Sequence, residues 1–156
     1  MAETTITRQQ LIDRLNEDLS REYQAIIAYV VYSQALKGPE YMSIAKELET
    51  HAKEELSHAL KVAKHIDYLG GTATVTPLPV KVSDDARVML RADLDNENDT
   101  VRNYTERVQQ AEALREYAVA EDLREILREE QEHQIDLATA LGESVPDLSR
   151  PASTTR

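Results

Sequence analysis

Apolar residues recur along the chain at steps of three and four. Leu15, Leu19, Ile26, Tyr29 and Leu36 form one stripe, and Ile44, Leu48, Val62, Ile66 and Leu69 form a second. The period returns in Leu90, Leu94, Val101, Tyr104 and Val108, then in Val119, Leu123, Ile126 and Leu137. This is the spacing of a helix with one buried face. Thr7 followed by Gln10 is a capping-box signature and starts the first helix. Gly38-Pro39 ends that helix, and Gly70-Gly71 ends the second. The segment TATVTPLPVKV, residues 72–82, carries two prolines and several β-branched residues, which predicts an extended connection. Ser83-Asp84-Asp85 caps a third helix, and neither Gly nor Pro follows until Gly142.

Local signals alone would allow one helix from 84 to 142. An internal repeat argues against it. Shifting the first half by 75 positions places Leu15, Leu19, Glu22, Ile26 and Tyr29 on Leu90, Leu94, Glu97, Val101 and Tyr104, and Glu55 and His58 on Glu130 and His133. Gly38-Pro39 falls on Ala113-Leu114, so a turn is expected near 111–114. Two such hairpins make an all-α, antiparallel four-helix bundle. If the second and third helices are parallel, their connection must span the bundle, roughly 40 Å at about 1.5 Å per residue. Fourteen extended residues reach roughly 46 Å. A long crossover between helices 2 and 3 is therefore expected. The bundle is assigned to residues 1–142, and the polar, Pro-containing stretch 143–156 is read as a frayed tail.

The stripes are interrupted by charge. Glu22, Glu55, His58, Glu97, Glu130 and His133 occupy positions where the period demands core residues. Glu22 lies 33 residues before Glu55 and Glu97 lies 33 before Glu130, with a turn near each midpoint, so all four carboxylates return to one level of the bundle. Buried carboxylates cost several kcal/mol each unless paired or metal-bound. Two imidazoles cannot neutralise four of them, whereas two divalent cations can. The i, i+3 spacing points Glu55 with His58, and Glu130 with His133, along one helix face. Mixed carboxylate and imidazole donors suit Fe, Mn or Zn better than Ca or Mg. The count of donors predicts two cations, each with a His and a terminal Glu, bridged by two further Glu.

Composition narrows the partners. The 156 residues include 29 Asp or Glu against 18 Lys or Arg, a net charge of −11, which opposes nucleic-acid binding and favours attraction of cations. Zero Cys excludes thiolate sites and disulfides. No signal-like or membrane-length apolar run is present, so a cytoplasmic protein without membrane partners is expected.

The order Glu, Glu-x-x-His, Glu, Glu-x-x-His, with "MLRADLDNE" before Glu97 and "EILREEQEH" at the last motif, resembles the ferritin-like di-iron carboxylate proteins, and within them bacterioferritin, over residues 8–142. The resemblance implies a di-iron ferroxidase that oxidises Fe(II) with O2 or H2O2 and stores iron in a homo-oligomeric shell, from a dimer up to a 24-mer. It makes Glu22 and Glu97 terminal ligands, Glu55 and Glu130 bridges, and His58 and His133 the nitrogen donors. Tyr29 matches a tyrosine beside the di-iron centre; its alternative is a satisfied core hydroxyl, as for Tyr104. Haem is not expected, because the haem-ligating Met of bacterioferritins is here Leu56, and the tail does not read as their fifth helix. A non-storing oxidase or peroxidase of the rubrerythrin-like type is the competing reading. Asp18 and Asp93, each four residues before a terminal Glu, are expected to accept the free N–H of the two ligand histidines. His51 is on the stripe and open to a structural or iron-binding role; His65, Glu54, Glu129 and Glu132 are expected at the surface.

Overall fold

A computed structural model describes residues 6–148. Helix α1 spans Arg8–Ala35, α2 Met42–Leu69, α3 Ala86–Ala113 and α4 Tyr117–Leu141, with no strand among the described residues. Thr7 closes the expected capping box at the start of α1, exchanging bonds with Gln10. Asp85 caps α3 by accepting from the backbone N–H groups of Arg87 and Val88. Helix α1 stops at Ala35, just short of Gly38-Pro39, and a 3-10 turn over Pro39–Tyr41 leads into α2.

Gly70 ends α2 in the left-handed region at φ 97°. Gly71 serves a different need: a Cβ there would stand 2.5 Å from the Ile12 side chain, so only glycine lets the chain turn tightly against α1. The segment from 72 onward then runs along α1. Asn16 holds it at Thr72 and Thr74, Ser20 accepts from the Leu78 N–H, Gln24 donates to the Pro79 carbonyl, and Tyr32 donates to that of Lys81. Those anchors span sixteen residue steps of α1, from Asn16 to Tyr32, about 24 Å of helix. The crossover is the long, bundle-spanning connection expected.

Its consequence is register. Tyr29 meets Glu97 and Tyr104 meets Glu22, so α1 and α3 are antiparallel. His58 meets Glu129, Glu54 meets His133 and His51 meets Asp136, so α2 and α4 are antiparallel too. The turn between α3 and α4 holds Arg115 at φ 59°, a left-handed position without glycine.

The core divides into two apolar clusters. One gathers Leu15, Leu19, Val62, Ile66, Leu123 and Ile126; the other gathers Tyr29, Leu48, Leu90, Leu94 and Leu137. The polar layer lies between them. Gly142 ends α4, and residues 143–148 form no further helix. The rest of the expected tail, 149–156, falls outside the described residues.

Candidate metal centre

Each helix delivers its polar residues from the inward stripe. Glu22 comes from α1, Glu55 and His58 from α2, Glu97 from α3, Glu130 and His133 from α4, and none is more than 3% exposed. Their donor atoms form two overlapping groups. Glu22, Glu55, His58 and Glu130 bring atoms within 4.8 Å of one another, and so do Glu55, Glu97, Glu130 and His133. Glu55 and Glu130 belong to both groups, while Glu22 and Glu97 each belong to one.

The imidazoles present Nδ1 to the centre. His58 Nδ1 lies 2.7 Å from Glu130, 3.2 Å from Glu55 and 3.7 Å from Glu22. His133 Nδ1 lies 2.8 Å from Glu55 and 3.6 Å from Glu130, and is not aligned as a hydrogen bond with either. Their Nε2 atoms face outward to carboxylates of the opposite helix: His58 to Glu129 at 2.7 Å, His133 to Glu54 at 3.0 Å. Such an outer carboxylate fixes the tautomer and leaves Nδ1 free as a donor.

Here three expectations are corrected. Asp18 and Asp93 are buried, but neither serves a ligand histidine. Asp18 forms an ion pair with Arg107, Nε to Oδ2 at 2.6 Å, and one oxygen of Asp93 has no hydrogen-bond partner. Glu54 and Glu129 take the histidine role instead of standing in solvent. The shift of 75 relates Glu54 to Glu129, so the repeat carried that signal. It was masked because each sits beside a buried Glu in an acidic run. His65, also expected at the surface, is 5% exposed and bonded through Nε2 to Asp122 at 2.7 Å.

Two tyrosines complete the layer. Tyr29 donates to Glu97 Oε1 at 2.5 Å, and Tyr104 donates to Glu22 Oε1. Burial, reinforced by the neighbouring carboxylates, pushes both hydroxyls well above the usual tyrosine range, so they remain protonated donors. Burial opposes charge on His58, yet contacts with Glu130, Glu22 and Glu55 outweigh it and hold its proton far above the ordinary histidine range. His133 behaves alike, with Glu130, Glu55 and Glu97 opposing burial. Burial drives Glu97 well up, reinforced by Glu130 and Glu55, and drives Asp93 well up, reinforced by Glu55.

The donor set fits a pair of first-row divalent cations. Glu22 Oε2, Glu55 Oε1, Glu97 Oε2, Glu130 Oε2 and His133 Nδ1 are buried with no hydrogen-bond partner. Buried polar atoms are normally satisfied, and five orphans in one layer need a common partner. Two imidazoles, even with both protonated, cannot neutralise four ionised carboxylates, whereas two divalent cations balance them with both imidazoles neutral.

Four helices in this topology, with a buried carboxylate–imidazole layer, define a class of bundle whose centre could hold metal. A family model, the ferritin-like domain, matches residues 12–144, and the chain belongs to that family. It is 28% identical over 141 residues to a bacterioferritin of Brucella melitensis, covering 86% of this chain and 88% of the relative. A ferritin-like diiron-carboxylate protein of Bacillus anthracis superposes with a TM-score of 0.82 at 34% identity, covering 86% of this chain and 96% of that one. A bacterioferritin-related, dodecameric thioferritin of Bacteroides fragilis superposes at 0.81 with 26% identity, covering 88% and 87%.

Proposed function

We propose that the protein is a ferroxidase: it binds two Fe(II) at the centre of each chain, passes one electron from each to O2, which takes up two protons and leaves as H2O2, or to H2O2, which takes up two protons and leaves as two waters, and releases Fe(III) for storage inside a homo-oligomeric shell. The observation that carries this reading is the layer of five orphaned buried donors shared by two overlapping groups. Glu22 and His58 would hold one cation, Glu97 and His133 the other, and Glu55 and Glu130 would bridge both. The paired iron ions supply the redox chemistry. The chain's own residues position and balance charge. Tyr29 and Tyr104 pin one oxygen of each terminal carboxylate, which turns the other toward the centre. Glu129 and Glu54 keep the protons of His58 and His133 on Nε2. His58 and His133 would each give up the second proton, on Nδ1, and Glu97 its own, to solvent on holding a cation there.

Bacterioferritin relatives and the dodecameric neighbour support homo-oligomerisation, and the surface supplies a face for it. Val30 and Leu56 are each 53% exposed and line one apolar groove between α1 and α2 with Ile26. No helix of the described residues is long and apolar enough to cross a membrane.

The test is anaerobic Fe(II) titration followed by oxygen. Glu55→Ala should lose two bound Fe(II) per chain and, with them, oxygen uptake; uptake unaffected by that change would defeat the reading. Light scattering on iron-loaded protein separates storage from the non-storing, rubrerythrin-like alternative: storage requires a shell, and a dimer would favour the oxidase.

A further inference from the structure

One turn from the metal centre lies a second group that the ferroxidase reading does not use. His51 is 2% exposed, and its ring stacks on that of His133 with centroids 4.0 Å apart and planes 27° from parallel. Its Nε2 faces Asp136 Oδ2 at 3.0 Å, and its Nδ1 is buried without a partner. Glu47 stands four residues before His51, on the same face of α2. Donor atoms of Glu47, His51 and Asp136 lie within 4.8 Å of one another. Glu47 and Asp136 also border an open pocket of about 240 Å³ whose wall includes Glu40 and Ser43. The buried imidazole thus stands behind two carboxylates that meet solvent.

We propose that Glu47, His51 and Asp136 form a third divalent-cation site, separate from the paired centre and open to the pocket. The donor set, one imidazole and two carboxylates, selects a first-row ion such as Fe(II), Mn(II), Co(II) or Zn(II) over Ca or Mg. The spacing agrees. Bonds of about 2.0–2.2 Å meeting at tetrahedral or octahedral angles put neighbouring donors roughly 3 Å apart, the separation of His51 from Asp136. The exposed Glu47 is free to close the third position, and water from the pocket completes the shell. A simple His–Asp contact would explain the 3.0 Å distance alone. It does not explain why a second carboxylate converges on the same atoms beside an open pocket.

Equilibrium dialysis of the full chain against low-micromolar Co(II), with metal analysis, tests the site. Three ions per chain are expected for the natural protein and two for Glu47→Gln/Asp136→Asn, whose amides keep the size of the side chains. Equal binding by the two proteins overturns the third site. Glu130→Gln judges the paired centre separately, because it leaves Glu47, His51 and Asp136 untouched; a loss seen only in the first variant supports the third site even if the paired centre fails. Crystals of the natural protein grown with Zn(II) decide the matter without substitution. An anomalous peak between the three side chains supports the site, and its absence there overturns it.

Discussion

At the scale of single residues, the periodic stripe carries information because its violations are expensive. Glu22, Glu55, His58, Glu97, Glu130 and His133 were legible as a group since burial of so much charge has few chemical explanations. Their helpers were not. Glu54 and Glu129 look like solvated surface until the α2/α4 register places each against the histidine of the opposite helix, and that register is tertiary. Asp18 was legible as buried, but its partner Arg107 lies 89 positions away on α3. Burial pushes the Asp18 carboxyl up more strongly than Arg107 draws it down, so desolvation is not fully repaid. Asp18→Ala should therefore destabilise the fold by about 3–5 kcal/mol, since it strands a buried guanidinium. Replacing both partners, Asp18→Leu with Arg107→Met, should recover most of that loss. Urea midpoints of the two variants check it; equal losses would show that the pair itself, and not the stranded charge, matters.

At the scale of elements, capping chemistry marked the starts of α1 and α3 and the end of α2 well, because a cap is local. The α3–α4 turn was placed only by the repeat. No glycine or proline marks it, and the chain instead carries Arg115 at φ 59°. A left-handed residue with a Cβ costs roughly 1–2 kcal/mol. Glycine at that position removes the strain but adds unfolded-state entropy worth about 0.4–1 kcal/mol. Arg115→Gly should thus stabilise the protein by about 0.5–1 kcal/mol, read as a rise in urea midpoint at unchanged slope. A fall would mean that the Arg115 side chain makes contacts worth more than the strain. The crossover was legible for a different reason: its length fits only a bundle-spanning path. Its side-chain anchors on Asn16, Gln24 and Tyr32 were not, since nothing local distinguishes them from surface polar residues.

At the scale of the whole molecule, assembly and proton balance follow from what the bundle exposes and what it hides. Leu60 is 66% exposed and Leu56 53%, both on α2, where a lone soluble chain would place polar residues. A charge at Leu56 should break the contact between copies proposed for the α1–α2 groove, so Leu56→Glu should lower the mass seen in light scattering without unfolding the chain; an unchanged mass would move the interface elsewhere. The buried layer sets the pH response. In the metal-free protein, His58, His133, Glu97 and Asp93 all hold protons more tightly than in the unfolded chain, where the ordinary values are 6.5, 6.5, 4.5 and 3.8. Through these four groups the folded state binds more protons than the unfolded state above about pH 4, and their contribution to stability falls as pH rises; His51, whose proton burial and the neighbouring His133 loosen, works the other way near 6.5. The histidine share is complete below 6.5 and is lost as pH climbs beyond it; the carboxylate share starts to fall lower, above 3.8–4.5. Cations held in the proposed centre would replace these protons, and their binding would strengthen as protons become scarce. At a free cation concentration of 100 times the dissociation constant, each site adds about 2.7 kcal/mol. Urea unfolding at pH 6 and pH 8.5 should therefore show the metal-free protein weakening with pH and the Co(II)-loaded protein holding or gaining. Parallel decline in both forms would mean that the cations do not take the protons' place in this layer.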